Sequence, residues 1–173
     1  MKQHFGFWTL LNDESEKSVN PLISRLSETY GNGISFVPHI SVYKSQHIEL
    51  GLAKDSIDSI AEDVKPFEVE VESVDYEQHD WSRTLFLKIK THPSLDEISS
   101  RLEDYFGEPY ELFPHLSLVY SETISESEKK WLTKELEFPR KLTVAKLAIV
   151  NPNSASENWR DYSKWTLDYV REI

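Results

Sequence analysis

The stretch Val37–Ser45, VPHISVYKS, returns 76 positions further on (113 against 37) as Phe113–Ser121, FPHLSLVYS. In each copy a bulky apolar residue precedes Pro, His, an aliphatic residue and Ser, and further strand-forming residues follow. Side chains alternate along a strand, so His39 and Ser41 share one face while Ile40 and Val42 take the other. His115 and Ser117 pair in the same way against Leu116 and Leu118. Each phrase therefore presents an imidazole and a hydroxyl about 7 Å apart to one side of a sheet. Pro38 and Pro114 donate no ladder hydrogen bond and suit a strand start or edge.

Around these phrases the chain alternates strand and helix. HFGFWTLL reads as a strand. Val19, Leu22, Ile23, Leu26 and Tyr30 fall at helical spacing, and Gly31 and Gly33 stop that helix. Residues 34–44 make the strand around His39, and Ile57, Ile60, Ala61 and Val64 make a second helix ended by Pro66. In FEVEVESV, Phe67, Val69 and Val71 alternate with glutamates, as in a strand with one face in water. The order then restarts. Leu85, Leu87 and Ile89 lie on a strand, and Leu95, Ile98, Leu102, Tyr105 and Phe106 on a helix closed by Gly107. Residues 112–120 surround His115. Ser125 with Glu128 is a capping-box signal for a helix carrying Trp131, Leu132 and Leu136. LTVAKLAIV and WTLDYV close the chain as strands. The result is β-α-β-α-β twice, plus a terminal strand, with the two histidine phrases at equivalent places. An α+β fold of one domain over residues 1–173 is expected. Lobe one covers about 1–78 and lobe two about 79–173, with the terminal strand able to cross between them. Two such lobes packed face to face set the paired strands beside a central cleft.

Composition bounds the function. The chain has 173 residues, 39% hydrophobic and 28% charged, an ordinary globular balance. A net charge of −11 argues against a sequence-independent grip on long nucleic acid, which requires Lys and Arg to displace counterions. A small anionic substrate in a locally positive pocket is compatible with it. There is no cysteine, so no disulfide or thiolate chemistry, and a cytoplasmic location is the default expectation. The start, MKQHFGFWTLLNDESEK, turns acidic early and lacks a small-residue cleavage site, unlike a signal peptide. No apolar run is long enough to span a bilayer, and a monomer with no membrane partner is expected.

Taken singly, a His-x-Ser on a strand is usually structural, its hydroxyl and ring making buried hydrogen bonds. Its recurrence at matched points of a duplicated order favours a site, because a packing role needs no polar pair and burying one is costly. Histidine titrates near neutrality when unperturbed. One neutral imidazole can take a proton from water while one imidazolium gives a proton to a leaving oxygen. Two hydroxyls can hold the non-bridging oxygens of a phosphate. The set suits in-line opening of a cyclic phosphodiester and calls for no cofactor and no metal. There is no H-E-x-x-H, C-x-x-C, P-loop or dinucleotide fingerprint.

PHISVY and PHLSLVY resemble the paired H-x-[ST] motifs of the 2H phosphoesterase superfamily, and the short chain with Tyr120 after the second motif looks most like its cyclic phosphodiesterase branch. The resemblance implies a bilobal fold of two mainly antiparallel sheets with helices outside and the site in the cleft. It implies hydrolysis of nucleoside 2′,3′-cyclic phosphates or ADP-ribose 1″,2″-cyclic phosphate, a place in RNA or nucleotide metabolism. It makes His39 and His115 catalytic and Ser41 and Ser117 phosphate-binding. Trp8 resembles the family's aromatic beside the nucleoside, and Tyr120 the one five residues past the second histidine. Strict alternation points Tyr120 away from His115, so the strand must end or bulge before it. The family often has Thr where this chain has Ser41, and the hydroxyl is kept.

Two other readings stand beside this one: an RNA-end processing or 2′–5′ ligase-like enzyme using the same quartet, and a nucleotide-binding protein of the same fold without turnover. His4, His47, His79 and His92 read as surface residues. HDWSR (79–83) reads as a solvated turn between lobes, though within reach of the cleft. In NPNSASENWRDYSKW, Trp159 or Arg160 could fold over a substrate.

Overall fold

The computed structural model describes residues 3–152 and 160–173, apart from the side chain of His47. Local chemistry accounts for most element ends. Strand β1 (Gln3–Leu11) leads to helix α1 (Asp13–Tyr30), whose N-terminus is capped by the Asn12 side chain accepting from Ser15 N at 2.9 Å. That cap starts α1 well before the apolar stripe at Val19. Strand β2 (His39–Ile48) begins at His39 rather than at residue 34, directly after Pro38. Helix α2 (Leu50–Asp63) and strand β3 (Phe67–Asp75) complete the first half. The second half holds β4 (Leu85–Ile89), α3 (Pro93–Phe106), β5 (His115–Val119), α4 (Glu126–Glu135) and β6 (Lys141–Asn151), with β7 (Thr166–Glu172) after it. Gly107 closes α3 at φ 72°, a left-handed cap that favours glycine. The Ser125/Glu128 capping box is formed at α4.

All strand pairings are antiparallel, in the order β2-β1-β6-β3-β4-β5, with β7 also on β6. The two expected sheets are therefore continuous. Long β6 joins them, pairing β1 through Val144–Val150, β3 through Lys141–Val144 and β7 through Lys146–Asn151. The halves exchange strands: β3, from the first half, pairs with β4, and β6, from the second, lies beside β1. Helices are exchanged too, with α1 packed on β5 and α3 on β2. Val69 and Val71 of β3 are buried in the common core, each worth about 1.5–3 kcal/mol, and they tie the halves together. The two ends of the strand path, β2 and β5, touch each other. These are the strands that carry the repeated phrase. No helix among the described residues is long and apolar enough to cross a membrane.

Strand β1 divides its faces as its sequence dictates. Phe5 and Phe7 enter the main core. Trp8 and Leu10 form a second small cluster with Ala148 and Val150 of β6, against which Trp165 packs. That second face is the floor of a cleft.

Candidate active site

The cleft has a volume of about 330 Å³, and His39, Ser41, His115, Ser117, Trp8 and Tyr120 all line it. His39 and His115 are held alike. Nδ1 of His39 lies 2.7 Å from the Val37 carbonyl, and Nδ1 of His115 lies 2.8 Å from the Phe113 carbonyl. A carbonyl only accepts, so each Nδ1 carries the hydrogen, which leaves the Nε2 lone pair of each neutral ring available. The proline in each phrase sits between the histidine and the carbonyl it uses. The repeat thus carries the backbone tether as well as the ring.

The two hydroxyls differ. Ser41 is half-buried, and its hydroxyl makes no hydrogen bond among the described residues. Ser117 is buried, and its hydroxyl donates to the Ser82 carbonyl at 2.9 Å. Ser82 belongs to a short 3-10 turn, Trp81–Arg83, capped by Asp80 Oδ1, which accepts from Ser82 N at 2.8 Å. Arg83 Nε donates to Asp80 Oδ2, also at 2.8 Å. HDWSR is therefore not a solvated linker. Its intramolecular bonds shape it, and it forms one wall of the site.

Trp8 lies flat on His39, with ring centroids 3.5 Å apart and an interplanar angle of 9°. The β1–β2 register sets this contact by pairing Trp8 with Ser41 and Leu10 with His39. Tyr120 reaches the cleft because β5 ends at Val119 and the β4–β5 register shifts between Leu85 and Phe86. Its ring stacks on Trp81 at 4.9 Å and lies 4.5 Å from Phe36. Trp8, Phe36, His39, Tyr120, Tyr162 and Trp165 enclose an adjoining aromatic chamber of about 240 Å³.

Burial dominates the electrostatics. His39 is held at about pH 4, chiefly by desolvation, with the Val37 bond opposing and the His115 charge adding to the depression. Burial also lowers His115; the Phe113 bond opposes this, Arg83 lowers it further and Asp80 raises it. Burial pushes the Tyr120 phenol up, so it stays protonated.

Several residues read as ordinary surface have other places. His4 lines the cleft, as do Lys44 and Tyr110, which carried no signal in the sequence. His92 caps α3, accepting from Ser94 N at 3.2 Å, and stacks on Phe67. His79 is exposed. Arg160 is paired with Glu122 and lies over the Trp81 ring. Trp159 and the side chain of His47 lie outside the described residues.

The cyclic phosphodiesterase of Arabidopsis thaliana is 30% identical over 133 residues, covering 75% of this chain and 71% of that protein. Apo LigT of E. coli superimposes with a TM-score of 0.61 at 12% identity, over 99% of this chain and 97% of that one. TT0787 of Thermus thermophilus gives 0.65 at 12% identity, over 99% and 98%. At that identity the two structures show the shared fold. The model of the 2′-5′ RNA ligase superfamily matches residues 36–155, which include both histidine phrases. The chain belongs to the 2′-5′ RNA ligase superfamily, the 2H phosphoesterases.

Proposed function

We propose that this protein hydrolyses a small cyclic phosphodiester, a nucleoside 2′,3′-cyclic phosphate or ADP-ribose 1″,2″-cyclic phosphate, to a phosphomonoester by two-histidine acid–base catalysis without a metal. The observation that supports this most directly is the matched pair of imidazoles. Each is tethered through Nδ1 to a carbonyl two residues earlier, and both line one cleft with two hydroxyls. Kinship with a cyclic phosphodiesterase supports the reaction class.

Burial and charge distinguish the two rings. His39, the more strongly depressed, is the neutral ring and takes a proton from the attacking water at Nε2. His115 carries the single proton the pair holds. As the water oxygen bonds to phosphorus, the opposite P–O bond of the ring breaks, and His115 delivers its proton to the departing ribose oxygen. The substrate anion favours the charged form of His115, so binding itself loads the acid. Ser41 donates to a non-bridging oxygen without giving up a protein partner. Ser117 must turn from the Ser82 carbonyl to do so. The base enters the aromatic chamber beside Trp8 and Tyr120. Among the described lining residues Lys44 is the only permanently charged cation, poor provision for a polynucleotide path, which disfavours the ligase-like reading. The test is a panel of nucleoside 2′,3′-cyclic phosphates, with and without EDTA, with product identification. Turnover to monoesters unaffected by EDTA is expected. No turnover, or loss in EDTA restored by a divalent ion, overturns the proposal.

A further inference from the structure

The cleft continues past the quartet along β1 and β2, toward Gly6 and Lys44. The β1–β2 register orders it: Leu10 faces His39, Trp8 faces Ser41, Gly6 faces Lys44 and Phe5 faces Ser45. The aromatic chamber is built from residues 34–37 before β2 and from the segment around Trp165. On the β2 side, across β1 from Val150 and the Trp165 segment, the cleft is lined by His4, Lys44, Gln46 and Tyr110. From Trp8 to Gly6 is two residues, about 7 Å along the strand, so Lys44 stands roughly one sugar beyond the hydroxyls.

Lys44, Gln46 and Tyr110 each carry a hydrogen-bond donor. Lys44 is exposed and pairs with no carboxylate among the described residues. Tyr110 is fixed by its edge-on contact with Tyr43, at 5.6 Å, and by its backbone N–H donating to Glu103 Oε1 at 3.1 Å. The phenol itself has no hydrogen bond among the described residues. The Glu108 carboxylate accepts from Ser45 at 3.3 Å and does not line the cleft. Gly6 keeps the floor between Trp8 and His4 clear. A Cβ there would stand 2.6 Å from Val150 Cγ1 and 3.4 Å from Trp8 Nε1.

The chemistry of the substrate gives this end a purpose. In a 2′,3′-cyclic nucleotide the base leaves the ribose at C1′, beside O2′, and the 5′ carbon leaves at C4′, beside O3′. With the cyclic phosphate at the quartet and the base in the aromatic chamber, the 5′ substituent points along the cleft toward Lys44. We propose that His4, Lys44, Gln46 and Tyr110 form a second anion subsite for a phosphate on the 5′ side of the substrate. The subsite makes a 5′-phosphorylated cyclic nucleotide the better substrate. This inference rests on the cyclic phosphodiesterase reading above.

The experiment compares kcat/KM for adenosine 2′,3′-cyclic phosphate with that for the same compound carrying a 5′-phosphate, at fixed ionic strength. The enzymes are wild type, Lys44→Gln, Lys44→Arg and Tyr110→Phe, each checked for fold by circular dichroism. A charge-assisted contact to phosphate predicts a wild-type preference of about tenfold or more for the 5′-phosphorylated compound. Lys44→Gln should reduce that preference to within about threefold and Lys44→Arg should retain it, with a smaller reduction in Tyr110→Phe. Equal kcat/KM for the two compounds in wild type, or a preference unchanged in Lys44→Gln, overturns the subsite. Failure of wild type to turn over either compound overturns instead the reaction on which the subsite depends.

Discussion

Acid should destabilise this protein through His39 in particular. The ring is 6% exposed, covered by Trp8, and held at about pH 4 when folded against 6.5 when free. The folded pKa is the lower one, so between these values the unfolded chain binds more protons than the folded one. Stability therefore rises with pH across the window and is lost as pH falls below 6.5. Linkage for one group with these two values costs little at pH 7, about 2 kcal/mol at pH 5 and about 3 kcal/mol at pH 4. Against a typical total of about 5–15 kcal/mol, that loss is large. His115 and the carboxylates titrate in the same range, so the contribution of His39 must be isolated by difference. His39→Asn removes the titration while its amide can still donate to the Val37 carbonyl. Urea denaturation of both proteins at pH 7, 6, 5 and 4.5 gives the two curves. Wild type should lose about 2 kcal/mol more than the variant between pH 7 and 5, with equal m-values. Parallel curves, or an imidazole pKa at or above 6.5 by NMR in the free protein, would refute the claim that burial governs this ring.

Replacing either histidine by Asn should lower kcat about a hundred- to ten-thousand-fold in steady-state assays, and the double variant should fall little further because the rings act as a pair. Ser41→Ala should lower kcat/KM by an amount equivalent to about 1–3 kcal/mol with unchanged stability. Ser117→Ala should also lower the urea midpoint, because it strands the Ser82 carbonyl. Gly6→Ala should destabilise by about 1–3 kcal/mol through its clash with Val150, read as a shift in thermal midpoint. In wild type, kcat/KM should peak on the acid side of the ordinary histidine range, because burial lowers both rings and His39 the further, to about 4. The kcat optimum should lie higher, since bound anion raises both pKa values. A common optimum for the two parameters would contradict loading of the acid by substrate.

The sequence alone determined whatever depends on neighbours a few residues away. Strand alternation placed His39 with Ser41 and His115 with Ser117, and the Ser125/Glu128 cap and the Gly107 stop marked helix ends. The repeat at 76 positions implied one cleft from two halves. Tertiary structure alone decided which strands pair. The exchange of β3 and β6 joins segments more than seventy residues apart, as in Phe67 with Val144, and no local periodicity records such a choice. The turn at Asp80–Arg83 shows the same limit. Its residues read as solvated until the Ser82 carbonyl is seen to accept from Ser117, 35 positions away. Lys44, His4 and Tyr110 gave no pattern because each comes from a different segment and they share only the cleft. The pKa of His39 is the clearest case. Desolvation is a property of everything packed around a ring, and Trp8, which lies flat on His39, arrives through the register of a neighbouring strand.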